Sequence, residues 1–177
     1  ASAGNHAQGV AFAASHLKVP AIVYMPTTTP LQKISKVKYF GGDYVDIVLT
    51  GDTFDDSFKA ALDKSIADNL PFIHPFDDHE VMAGQGTIAK EILDHTEHPI
   101  DMLLVAVGGG GLISGVGSYF KQKSPDTEII AIESEGAPAM FNSLKAKEII
   151  VLDHIDSFAD GIAVKKIGLN TFELCKK

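Results

Sequence analysis

Eight consecutive residues, Gly108-Gly109-Gly110-Gly111-Leu112-Ile113-Ser114-Gly115, have the makings of an anion cradle. They follow an apolar run, Met102 to Val107, and open a segment of helical periodicity from Leu112 to Gln122. Successive glycines let the main chain turn tightly and present consecutive N–H groups, and a helix N-terminus adds positive partial charge. Such a nest holds phosphate without a cationic side chain. That suits a chain whose 15 basic residues are all Lys. A flexible turn would need one glycine here rather than four. The glycines alone leave the identity of the phosphate open. Gly109, Gly111 and Gly115 approximate a dinucleotide fingerprint, with a spacing one residue too long for G-x-G-x-x-G, and Glu133 ends the following strand where a ribose-binding acid would stand. A nicotinamide-binding dehydrogenase domain is therefore one reading.

A second cluster opens the chain: Ser2-Ala3-Gly4-Asn5-His6-Ala7-Gln8-Gly9. Its small residues permit close approach at a helix start, and Ser2 or Asn5 can cap the helix or meet a ligand. On physics alone an ordinary capped helix is the simpler reading. Other candidates carry less. Asp77-Asp78-His79-Glu80 has metal-ligand residue types, but adjacent side chains in a loop rarely converge, and solvated charge explains them better. His6 and His74 read as structural. Ser114 lies in a Gly-Leu-Ile-Ser-Gly run that does not match G-x-S-x-G, so no hydrolase triad is supported.

The elements that must position these groups alternate. Helical spacing over Ala7 to Leu17 gives way to a strand at Ile22–Met25, a helix over Leu31 to Tyr39 closed by Gly41-Gly42, and a strand at Val45–Leu49. A helix over Thr53 to Asn69 and a short strand at Phe72-Ile73 follow. Residues Gly84 to His95 predict a helix, Met102 to Val107 a buried strand, Ile129 to Ile132 another, and Pro138 to Lys147 a further helix. Strands alternating with helices of this length imply βαβ units with parallel sheets, an α/β fold. The acidic loop Phe76 to Glu80 is the expected seam between two lobes, 1–76 and 77–177.

Composition excludes several classes. With 177 residues, 45% hydrophobic and 21% charged, the chain is of ordinary globular character and can bury a sizeable core. A net charge of −8 and the absence of arginine argue against nucleic-acid binding. The single Cys175 rules out an internal disulfide framework and fits a reducing, cytoplasmic setting. No apolar run is long enough to span a bilayer. The chain begins without Met, and both ends read as cut from something longer.

The opening cluster resembles the asparagine loop of the threonine dehydratases, pyridoxal-phosphate enzymes of the tryptophan-synthase-β fold type (fold type II). The resemblance continues through Met25-Pro26-Thr27-Thr28-Thr29-Pro30, Pro75-Phe76-Asp77-Asp78, Ala83-Gly84-Gln85-Gly86-Thr87, Val107 to Gly111 and Ala159-Asp160-Gly161-Ile162-Ala163-Val164-Lys165, in that order. It implies two Rossmann-like three-layer lobes with mainly parallel sheets, both incomplete, with pyridoxal 5′-phosphate and an amino-acid substrate between them. Asn5 would bond the phenolic oxygen of the cofactor. Ser2, Ala3, Gly4 and His6 would line the carboxylate loop for the substrate. Gly108, Gly109, Gly110, Gly111 and Leu112 would hold the phosphate, and Gly161 would lie beside the ring. The implied reaction is dehydration and deamination of L-threonine to 2-oxobutanoate and ammonia, the first step of isoleucine biosynthesis. A serine dehydratase or serine racemase of the same fold is the nearest alternative. In the family the Schiff-base Lys lies in a Ser-Phe-Lys motif upstream of the asparagine loop, before Ala1. Asp56-Ser57-Phe58-Lys59 copies that motif downstream of the loop, within an amphipathic helix that accounts for it. The resemblance also implies a homo-oligomer, and no metal: related racemases bind a cation near the equivalent of Glu133, but Ala139 stands where a second carboxylate is expected.

Overall fold

A computed structural model describes residues 1–156 and 158–176. The chain divides into two compact units, Ala1–Pro75 and Phe76–Lys177. Each is built on one parallel strand pair, in keeping with the α/β expectation.

In the first unit the order is α1 (Asn5–Leu17), β1 (Ala21–Met25), α2 (Leu31–Gly41), β2 (Val45–Leu49) and α3 (Phe54–Ala67). β1 and β2 pair in parallel from Ala21↔Val45 to Met25↔Leu49, with α2 as the crossover a parallel pair requires. Ala7, Ala11 and Ala14 form the buried stripe of α1 and join Val23, Met25, Val37 and Val45 in the core. Small residues on that stripe let α1 lie close to α2. Gly41 marks the tightest point, where a Cβ would stand 2.5 Å from Val45 and 3.4 Å from Ala11. α3 starts with a capping box: Thr53 Oγ1 accepts from the Asp56 N–H at 3.2 Å, and Asp56 Oδ2 accepts from the Thr53 N–H at 3.0 Å. These bonds, the Thr53 hydroxyl first, hold the Asp56 carboxyl below its usual range.

The strand expected at Phe72-Ile73 does not form. Residues 71–74 have no regular structure, and aromatic packing holds them instead. Phe72 and His74 sit against Phe58 of α3 with ring centroids 5.2 and 5.3 Å away, both near edge-on.

The second unit runs α4 (His79–His95), β3 (Met102–Ala106), α5 (Gly111–Lys123), β4 (Glu128–Ile132), α6 (Ala139–Ala146) and α7 (Leu169–Cys175). β3 and β4 pair in parallel from Met102↔Glu128 to Ala106↔Ile132. α4 begins at His79 rather than Gly84, because Asp78 caps it: Oδ1 accepts from the N–H groups of Glu80 at 2.8 Å and Val81 at 3.1 Å. Acidic residues expected to be merely solvated therefore organise a helix. α4 and α5 touch backbone to backbone where Gly115 meets Met82 and Gly86. Ala89, Val105, Val116 and Phe120 fill the space beneath that crossing. β3, expected to be buried, is so on one side only, with Val105 5% but Leu104 61% exposed, since α4 and α5 cover that face, while β4, also expected to be buried, has no fully buried residue. Among the described residues no helix is long and apolar enough to cross a membrane.

Candidate functional site

The glycine quartet joins β3 to α5. Gly109, Gly110 and Gly111 are buried, yet among the described residues no acceptor within the protein takes the N–H groups of Gly108 through Leu112. Buried main-chain donors are nearly always paired, so a run of open ones at a helix head marks a place for an acceptor from outside. α5 has no side-chain cap that would compete. Gly110 is left-handed, with φ +93° and ψ −2°, which opens the turn that exposes successive N–H groups.

The other face of the loop is packed. A Cβ on Gly109 would stand 2.3 Å from the Phe76 ring, one on Gly111 2.9 Å from the Phe76 backbone, and one on Gly110 2.7 Å from Met140 and 2.8 Å from Thr171. Gly108 is pressed against Ile162, with a Cβ there 3.0 Å from Ile162 Cα. The Ala159 to Lys165 segment, which the sequence singled out for Gly161, thus lies directly against the glycine loop. Gly161 itself has open space around its Cβ position.

The opening cluster forms the head of α1. Ser2 is fixed by its N–H to the Tyr24 carbonyl at 3.1 Å, and its Oγ accepts from the Gly4 N–H at 3.1 Å. The residue at the cap position is Gly4, which makes no side-chain cap. Gln8 N–H returns to the Gly4 carbonyl at 3.3 Å, while no internal acceptor is found among the described residues for the N–H groups of Asn5, His6 and Ala7. The Asn5 side chain is exposed and makes no hydrogen bond among the described residues. His6 behaves differently: its Nε2–H donates to the Ile73 carbonyl at 3.2 Å.

Burial lowers the His6 pKa from 6.5 to about 4, against the opposing Ile73 bond. The ring is neutral near pH 7. As the pH falls from 6.5 towards 4 the unfolded chain takes up this proton before the folded one, so stability is full above pH 6.5 and is lost down to about 4. The expected loss is on the order of 3 kcal/mol. Denaturant midpoints measured across that range should fall less for His6→Gln than for the parent, and parallel curves would exclude this origin.

Glu133 is committed elsewhere. Its Oε1 accepts from the Met140 N–H at 2.9 Å and its Oε2 from the Phe141 N–H at 2.7 Å, so the carboxylate caps the first turn of α6. Among the described residues no group of three His, Cys, Asp or Glu could hold a metal ion. Lys59 lies on α3, 76% exposed by side chain, paired to Asp63 at 2.5 Å. Ser114 is buried with its Oγ 3.9 Å from Cys175 Sγ, and burial pushes that thiol above its usual pKa. Two further hollows, about 370 Å³ along α4 and α5 and about 450 Å³ beside β4 and α6, are lined by neither glycine quartet nor asparagine loop.

The family model for pyridoxal-phosphate-dependent enzymes matches residues 1–177, the whole chain. The chain belongs to the pyridoxal-phosphate-dependent enzyme family. Within it, the chain is 54% identical over 177 residues to the biosynthetic L-threonine dehydratase of Halalkalibacterium halodurans, covering all of this chain and 43% of that protein. The processed form of threonine deaminase isoform 2 from Solanum lycopersicum superposes with a TM-score of 0.91 at 48% identity, over 99% of this chain and 50% of that one. Maize serine racemase superposes with a TM-score of 0.90 at 32% identity, over 99% of this chain and 52% of that one. The chain thus spans about half or less of the length of these relatives. As in other fold type II enzymes of this pyridoxal-phosphate-dependent family, the sheets are parallel and mixed with helices. The residues present fit the family's cofactor on one independent ground: the buried, open N–H groups of the glycine quartet suit a dianionic phosphate.

Proposed function

We propose that the protein is a threonine ammonia-lyase, converting L-threonine to 2-oxobutanoate and ammonia at the entry to isoleucine biosynthesis. The observation that carries the reading is the glycine quartet, with Gly109 to Gly111 buried and no acceptor for its N–H groups among the described residues, in a chain 54% identical to a biosynthetic L-threonine dehydratase. Gly108 to Gly111 and Leu112 hold the cofactor phosphate through main-chain N–H groups, and the α5 dipole adds to that grip. Asn5, whose amide makes no hydrogen bond among the described residues, donates to the phenolic oxygen of the ring. Gly161, with no side chain to intrude, leaves room beside it. Ser2, Ala3, Gly4 and His6 receive the substrate carboxylate at the head of α1. His6 contributes there through its main-chain N–H, since its ring is neutral and bound to Ile73. Pyridoxal phosphate, when bound, supplies the electron sink for loss of the α-proton and the β-hydroxyl. The protein acts in the cytoplasm as a homo-oligomer.

The test is turnover, with the cofactor, by the full-length protein that carries the Ser-Phe-Lys motif upstream of Ala1, since the 177 residues without that Lys are expected to be inactive alone. Release of 2-oxobutanoate from L-threonine should exceed release of pyruvate from L-serine in kcat/KM, and no D-serine should form. A preference for serine, or accumulation of D-serine, would favour the serine-directed members of the fold instead.

A further inference from the structure

We propose that Thr171 and Asp77 are positioning residues for the cofactor phosphate, acting through the orientation of the Gly109–Gly110 peptide; this rests on the phosphate role given above to the glycine quartet. Thr171 is wholly buried, and its hydroxyl donates to the Gly109 carbonyl at 2.7 Å, with the Gly168 carbonyl farther off at 3.2 Å. The Gly109–Gly110 peptide is trans, as are all the described peptide bonds. In a trans peptide the C=O and N–H point in opposite directions. Holding the Gly109 oxygen against Thr171 therefore aims the Gly110 N–H away from Thr171, towards the open side of the turn. A run of glycines does not enforce that choice by itself, because each can rotate its peptide planes at little cost. The Thr171 hydroxyl is the external lock.

Thr171 is in turn held by Asp77. Its Oδ2 accepts from the Leu169 N–H at 3.0 Å, and its Oδ1 accepts from the N–H groups of Asn170 at 2.9 Å and Thr171 at 3.2 Å. The approach needs Gly168, where a Cβ would fall 2.2 Å from the Asp77 carboxylate. Phe76, the residue before Asp77, packs against Gly109 and Gly111. One dipeptide thus fixes the glycine loop twice, directly by its ring and indirectly through the first turn of α7. A side chain that merely capped α7 would have no bearing on which way an amide in the loop points.

The experiment compares binding of pyridoxal 5′-phosphate and of pyridoxal, which lacks the phosphate, by equilibrium dialysis on the full chain. Thr171→Val keeps the shape and removes the hydroxyl. It should lower the preference for the phosphorylated ligand about tenfold or more, the effect of one hydrogen bond to a charged group. Pyridoxal affinity should hold, and the ³¹P resonance of the bound cofactor should move. Thr171→Ser should restore the preference. Asp77→Asn, which retains one acceptor oxygen, should lower it by a smaller factor and supplies the second arm if Thr171→Val does not fold. Equal losses for both ligands, or an unchanged preference in both variants whatever happens to the melting temperature, would overturn the proposal. A parent protein that binds pyridoxal as tightly as its phosphate ester would instead overturn the functional reading on which this one stands.

Discussion

Gly115→Ala is expected to destabilise strongly the unit that carries the glycine loop. The added methyl would stand 2.1 Å from the Met82 carbonyl oxygen, 2.8 Å from the Gly86 nitrogen and 2.9 Å from Gln85 Cβ. Two of these are main-chain atoms in the middle of α4, so no side chain can swing aside, and the two helices must separate. Separation opens the core beneath them, where Ala89 and Phe120 are fully buried. Overpacking of this kind costs about 1–3 kcal/mol when side chains can adjust. Against immovable backbone about 3–5 kcal/mol is expected, a large share of the stability of a domain. Urea denaturation followed by circular dichroism should show the loss. Gly117→Ala, on the same helix, is the control: its Cβ would meet only Ile129 at an ordinary 3.7 Å, and helix propensity should make it neutral or stabilising. Equal midpoints for the two variants would contradict the crossing described above.

Gly110→Ala should cost the cofactor more than the fold. At φ +93° a side chain is strained wherever it points, and this one would also meet Met140 at 2.7 Å and Thr171 at 2.8 Å. The strain, about 1–2 kcal/mol, and the overpacking, about 1–3 kcal/mol, are both relieved if the Gly109–Gly110 peptide rotates. Rotation misdirects the amide at the centre of the nest. Affinity for pyridoxal 5′-phosphate is expected to fall on the order of a hundredfold, while secondary structure is retained. Cofactor binding within a few-fold of the parent would show that the conformation at Gly110 does not matter to the grip.

Much of this was legible beforehand, because it rests on local rules. Alternating helical and strand patterns, the glycine stop after α2 and the apolar run before the quartet are short-range signals, and α1, α2, β2 and α6 formed within a residue or two of their expected places. What escaped depends on partners far along the chain. Nothing near Asp77 says that its carboxylate serves three N–H groups more than 90 residues later. Glu133 was legible only as an acid at a strand end; that it caps α6 follows from the turn at Gly136 to Pro138, which folds the helix head back onto it. Phe72-Ile73 has strand composition but no strand partner in its unit, and aromatic packing on Phe58 won. The open N–H groups of the quartet could be guessed from glycine content; their burial could not.

The tie from Asp77 to Leu169 spans 92 residues, and that from Thr171 to Gly109 spans 62. Closing such long loops is entropically late work. A nascent chain leaving the ribosome must extend past Thr171 before the loop around Gly109, made some sixty residues earlier, can be set. Helices α4 and α5 can form while translation continues, but the Gly109 carbonyl gains its hydroxyl partner only when α7 arrives.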